Sequence, residues 1–275
     1  MINRSFKLTA ALSLILVAFG CQTMKGSQDT QSMADTDTEL SVARAFIESG
    51  RPDKALYELK AVLEKEPESV GAHTLMGLAQ MALRNPTKAV EHLKIAWNLD
   101  PSAQNALNLS SAYLQAKNLE AAQKIIVKGL AVKETPPYRH KERFYHNLAL
   151  IAQMKGKQGV AEKAFRKALE ENPTFYMSRQ QLAILLGKAG KVEAAKEQWD
   201  LARIACPLCL EPTEQLAKYY QSKGDLRTAL GLVTDFKKLE GINPPEAKRA
   251  LELEAELNIT RAKLAKQAAS SVQSR

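Results

Sequence analysis

"NLALIAQMKGKQGVAEKAFRKALEENP" (residues 147–173) holds two stretches of apolar residues at helical spacing, parted by a glycine-containing turn. Ala149 lies in the first stretch, Gly156 ends it, Ala161, Phe165 and Ala168 line the second, and Pro173 follows its end. Each residue type has a physical reason to be there. Small residues let two helices approach closely, glycine accepts the positive φ that stops the first helix, and proline, lacking an N–H, cannot continue the second. The same order returns at Ala183, Gly190, Ala195, Trp199, Ala202 and Pro207. It returns again at Gly77, Ala89, Leu93, Ala96 and Pro101, and at Ala43, Gly50, Ala55, Leu59 and Pro67. Ala217, Gly224, Ala229, Val233 and Phe236 form a further copy. Ser110, Lys117, Ala122 and Ile126 form a weaker one, with no proline at the expected place.

The anchoring alanines fall at 55, 89, 122, 161, 195 and 229, in steps of 34, 33, 39, 34 and 34 residues. That is the tetratricopeptide period. The expected fold is therefore all-α: a tetratricopeptide (TPR) solenoid of about six helix-turn-helix repeats over 39–241 with a C-terminal capping helix and tail over 242–275. The repeat units lie near 36–69, 70–102, 103–135, 142–175, 176–209 and 210–241. One hairpin cannot bury its apolar face alone, so neighbours must stack. The 39-residue step carries an insertion from Lys133 to Glu142, where Pro136 and Pro137 break helicity, either as a bulge or as a hinge between two triplets. Pro244 and Pro245 precede a helix reaching about Ala269. Its acids (Glu246, Glu252, Glu254, Glu256) come early and its bases (Arg261, Lys263, Lys266) late, as the helix dipole favours.

The N-terminus follows a different logic. Arg4 and Lys7 precede an apolar run from Leu8 to Phe19. Twelve helical residues rise only about 18 Å, too short for a ~30 Å hydrocarbon core, so residues 1–20 are expected to be a signal peptide. The run stops at "VAFGC", Val17 to Cys21, which resembles the bacterial lipoprotein box, with Phe19 where a smaller residue is usual. On that resemblance Cys21 is lipidated and becomes the first residue; the alternative is ordinary secretion with an incidental cysteine. Gln22 after the cysteine favours, by the same analogy, the periplasmic face of the outer membrane. Residues 21–38 have few large apolar groups and are expected to form a flexible tether.

No catalytic signature is present: there is no Gly-x-Ser-x-Gly, no phosphate-cradling loop and no His-Glu-x-x-His. No cofactor or metal is expected, and no small-molecule substrate. The net charge is +9, but the surplus is scattered and lacks the aromatic interleaving of a nucleic-acid stripe, so no nucleic acid is expected. His73 falls at a core position, His92 on a second helix and His140 in the insertion; only His146 is placed toward the concave face. Cys206 and Cys209 flank Pro207 at the turn between the fifth and sixth repeats. In an exported chain they suit a local structural disulfide, against a redox-active pair as the alternative.

Binding remains. The first helices of such arrays line a concave groove. Register counting assigns it Thr74, Leu78 and Met81 from the second repeat, Leu107, Ser111 and Leu114 from the third, and His146, Leu150 and Gln153 from the fourth. That apolar strip suits an amphipathic segment or strand of a protein partner, with methionine adapting to its shape; the alternative is that the solenoid's own coil covers part of it.

The order of parts resembles the type IV pilus pilotins, the PilF/PilW/Tgl group. The segment "KETPPYRHKERFYHNLALIAQMKGKQGVAEKAFRKALEENP" (residues 133–173), a proline-containing insertion before an aromatic-Asn-Leu first helix, carries the local likeness. The resemblance implies a lipoprotein, held to the outer membrane through Cys21, that binds the pilus secretin and promotes its localisation and multimer assembly. A TPR lipoprotein scaffold for peptidoglycan hydrolases or synthases, or an accessory of barrel assembly, is the rival reading.

Overall fold

The computed structural model describes residues 25–273, with side chains described over 36–270. Residues 1–20 and Cys21 lie outside the described residues. Six antiparallel hairpins follow one another. They are α1 (Lys25–Glu48) with α2 (Pro52–Lys65), α3 (Val70–Ala82) with α4 (Pro86–Leu99), and α5 (Ala103–Gln115) with α6 (Leu119–Ala131). Then come α7 (Lys141–Met154) with α8 (Gln158–Glu171), α9 (Tyr176–Lys188) with α10 (Val192–Ala205), and α11 (Leu210–Ser222) with α12 (Leu226–Lys237). A final helix, α13 (Pro244–Gln273), packs on the last pair.

The repeated residues hold these elements as their chemistry demands. Ala55, Ala89, Ala122, Ala161 and Ala229 are fully buried, as are Ala43, Ser110, Ala149, Ala183 and Ala217 on the facing first helices. At Gly77 a Cβ would come within 2.3 Å of Leu93, so the α3–α4 crossing needs glycine. Ser69, Ser102, Asn118 and Asp225 cap their helices by accepting an N–H from the third residue onward. Gly50, Gly156, Gly190 and Gly224 turn the hairpins at φ 72–77°. Arg84 (φ 59°) and Lys117 (φ 58°) adopt the same left-handed geometry in the two repeats that have no glycine there.

The insertion is tied to the third repeat and to α7. The Glu134 carboxylate accepts the Ala103 N–H at 2.6 Å, and the Tyr138 hydroxyl meets Gln104 at 3.2 Å. Tyr138 also stacks edge-on against buried Phe144. One core cluster runs unbroken from Ala89 on α4 to Ile151 on α7.

The tether expected over 21–38 is shorter than composition suggested, because α1 begins at Lys25. Nothing between Ser27 and Ser49 breaks a helix, since neither Gly nor Pro occurs there. Thr36 is buried and donates to Glu66 at 2.7 Å, and Leu40 packs beside Gly71, so the helix is docked well upstream of the first hairpin turn.

The C-terminal cap closes the last core. Ala250, Leu253 and Leu257 of α13 bury against Leu210, Ala217, Val233 and Phe236. Arg249 pairs with Glu211 and Glu214, Glu254 pairs with Lys237, and Glu246 accepts the N–H of Leu210 at 3.4 Å.

Candidate partner-binding groove

First helices α3, α5, α7 and the start of α9 stand side by side, so their equivalent positions form one concave surface. Of the residues assigned to it, Leu78, Met81, Leu107, Ser111, His146 and Leu150 line a single opening of about 360 Å³. Thr74, Leu114 and Gln153 lie outside it. Thr74 donates instead to Asn105 at 3.2 Å, and Leu114 packs on the core cluster of α4 to α7. Their register equivalents, Leu107 and His146 for Thr74 and Met81 for Leu114, do line the opening.

The opening has five further lining residues: Asn108, Arg143, Asn147, Phe175 and Met177. Arg143 is one turn ahead of His146, and Asn108 and Asn147 directly follow residues already assigned. Phe175 and Met177 open the fifth repeat; the register count continued there gives Gln180, Ile184 and Gly187, so these two, like Arg143, stand about a turn ahead of the counted positions and register alone does not find them.

The polar groups on this surface face each other more than they face solvent. Asn147 donates to Ser110 at 3.2 Å and to Ser111 at 3.1 Å, tying α7 to α5. His146 shares a 2.9 Å hydrogen bond between Nδ1 and Ser178, and its ring contacts Phe165 and Phe175. Burial among these groups pushes the His146 pKa down to about 4, so the imidazole is neutral near pH 7. The hydroxyl and imidazole groups therefore fix the spacing of the first helices, and the groove offers apolar area edged by one exposed cation, Arg143. A floor of Leu and Met is adaptable, and such a surface gains from burying a partner's apolar face.

Two other features lie away from the groove. His73 and His92 approach Nδ1 to Nδ1 at 3.1 Å, and His73 Nε2 contacts the Pro67 carbonyl at 3.0 Å. Since a carbonyl only accepts, Nε2 carries a proton, and this tie closes the second hairpin on the turn before it. A second opening of about 400 Å³ lies between α10 and α12, lined by Ile204, Pro207, Leu232 and Phe236. The sulfurs of Cys206 and Cys209 lie 1.95 Å apart beside it, with the Cα atoms 5.4 Å apart. Among the described residues, no group of three His, Cys, Asp or Glu side chains is arranged to hold a metal ion, and no helix is long and apolar enough to cross a membrane.

Residues 46–105, 142–175 and 164–197 each match the tetratricopeptide repeat family. The chain is a tetratricopeptide-repeat solenoid. The solenoid is 25% identical over 167 residues to the type IV pilus assembly protein PilF of Pseudomonas aeruginosa. That alignment takes in 60% of this chain and 65% of the relative's length. The solved structure of Pseudomonas aeruginosa PilF superposes with a TM-score of 0.61 at 21% identity, over 82% of this chain and 99% of that one. PilW, described as a widely conserved type IV pilus biogenesis factor, superposes equally well (0.61) at 18% identity, over 78% of this chain and 98% of that one. The fold is thus shared with PilF and PilW, and with PilF the likeness extends to sequence.

Proposed function

We propose that this solenoid is a non-catalytic adaptor of type IV pilus biogenesis, acting as a pilotin. It binds the pilus secretin through the concave groove and promotes its placement and multimer assembly, while a lipid on Cys21 holds it to the periplasmic face of the outer membrane. The observation that carries the reading is the continuous apolar opening across α3, α5, α7 and α9, on a chain related in sequence to a type IV pilus assembly protein. A groove of this width spans four adjacent elements, which matches the length of an amphipathic segment better than that of a small molecule. Arg143 at the edge favours a segment carrying an acidic residue beside its apolar face.

The test is crosslinked co-purification from the native envelope. The secretin subunit is expected as the captured protein, and deletion of this chain is expected to leave secretin monomers in place of multimers. Capture of a peptidoglycan hydrolase or synthase, with secretin multimers intact, would overturn the proposal.

A further inference from the structure

The end of a solenoid is normally closed by an element with a polar outer face, because an apolar one invites association. The outer face of α13 is charged but carries exposed aliphatic residues among its charges. Its inner row, Ala250, Leu253 and Leu257, is spent on the last hairpin. A second row (Leu251, Ala255, Ile259, Ala262) follows at spacings of four, four and three, which places it on a different side of the helix. Leu251 and Ile259 in that row are 55% and 56% exposed. Isolated aliphatics at a surface are ordinary, but two in line on a 30-residue helix about 45 Å long form a stripe.

The charges beside this stripe select its occupant. Glu252, Glu256 and Lys263 share one flank at spacings of four and seven, and Lys266 lies a turn beyond. Charges on the inner side are already paired, Arg249 with Glu211 and Glu214, and Glu254 with Lys237. Glu256, Lys263 and Lys266, by contrast, have no oppositely charged group within 4.0 Å among the described residues, and Glu252 meets only Lys248, at 3.9 Å. A two-fold axis perpendicular to a helix lays each flank on itself with its direction reversed. With that axis at Ile259, Glu252 stands seven residues before it and Lys266 seven after, while Glu256 stands three before and Lys263 four after. Each acid then faces a base on the other copy, twice over by symmetry, around a seam where Ile259 meets its own equivalent and Ala255 lies near Ala262. The alanines allow close approach. A helix lying on a membrane is typically rich in Lys and Arg on its polar face, whereas this flank balances two acids with two bases.

We propose that the chain self-associates as an antiparallel dimer through the outer face of α13, with the two-fold axis at Ile259. The dimer joins two solenoids at their C-terminal ends and leaves both concave grooves clear of the contact.

Sedimentation velocity on the purified full-length chain in mild non-ionic detergent, over a range of concentrations, reads this directly. A monomer–dimer equilibrium is expected, weakened about tenfold or more by Glu256→Lys or by Lys263→Glu, and restored when the two are combined. Ile259→Cys is expected to crosslink into a dimer on mild oxidation, whereas Leu264→Cys, on the other side of the helix, is not. All of these positions are exposed and lie outside the packed row, so helical circular dichroism stays unchanged. A chain that stays monomeric at every concentration overturns the proposal, as does a dimer indifferent to both charge reversals. A Cys21→Ala chain, which has no acyl anchor, that stays monomeric and floats with vesicles of anionic phospholipid assigns the stripe to a bilayer and overturns it equally.

Discussion

Lys117 shows how one residue type decides a turn. Four of the six hairpins place glycine at their positive-φ position, and Lys117 holds φ 58° with a full side chain. A left-handed conformation costs a non-glycine residue roughly 1–2 kcal/mol, of which a glycine returns part through its more flexible unfolded state. Lys117→Gly is therefore expected to stabilise the solenoid by about 0.5–1 kcal/mol, seen as a higher midpoint in urea unfolding. An unchanged or lower midpoint would mean that the lysine side chain contributes more than its backbone costs. His146 makes a second residue-scale case. Its folded pKa of about 4 lies below the ordinary 6.5, so the unfolded chain takes up the proton first as pH falls. The stability that neutral His146 supports is complete above pH 6.5 and is lost as pH drops toward 4, by about 3 kcal/mol in total. His92, lowered by burial and by His73, acts in the same direction. His146→Gln is expected to flatten the fall in unfolding midpoint between pH 7 and pH 4; a fall as steep as the parent's would refute the assignment.

Among elements, the groove gives the clearest contrast. Met177 is 37% exposed on α9 and lines the opening, while Leu114 packs on the core of α4 to α7. Met177→Glu is expected to weaken capture of the partner by more than about tenfold with helicity unchanged. Leu114→Glu is expected to lower the thermal midpoint, because it places a charge against packed side chains. Equal effects of the two on folding would mean that the groove wall is itself core. The turn at Cys206 and Cys209 carries its own expectation. A disulfide across so short a loop adds about 2 kcal/mol in the chain-entropy account. Oxidised protein is thus expected to show no free thiol at these positions and to lose thermal stability on reduction or in Cys206→Ser. Two titratable thiols in the native state would contradict it.

The elements also show what could be read from the chain and what could not. The hairpins were legible because each is fixed by local signals: a small residue, a turn residue with positive φ, an aliphatic row and a following proline. Most of the groove was legible for the same reason, since register is local. What escaped depended on neighbours distant in sequence. Gly129 carried no signal, yet a Cβ there would lie 2.6 Å from Ala106 and 2.7 Å from Phe144, on two other helices. Thr36 looked like part of a polar tether because its burial depends on Glu66, thirty residues on. Thr74, Ser111 and His146 looked available to a partner because the Asn105, Asn147 and Ser178 groups that engage them come from the next repeat.

At the scale of the whole molecule, a solenoid offers a long surface but no means of choosing where in the cell to offer it. Fourteen residues separate Cys21 from Thr36, which is buried against the second helix. A chain lipidated at Cys21 is therefore held close to its membrane, with the first repeat nearest the surface and α13 farthest along the array. Anchoring of this kind raises the local concentration of the groove for any partner at the same surface. Cys21→Ala, exported through the same signal segment, is expected to leave the folded solenoid in the soluble periplasmic fraction with unchanged circular dichroism. Secretin multimers are expected to fall with it, because the groove is intact but no longer concentrated where the secretin assembles. Doubling as a control, overexpression of the Cys21→Ala chain is expected to recover part of the multimer by mass action. Unaltered outer-membrane fractionation of Cys21→Ala would refute the anchor, and normal multimers without the anchor would separate localisation from assembly.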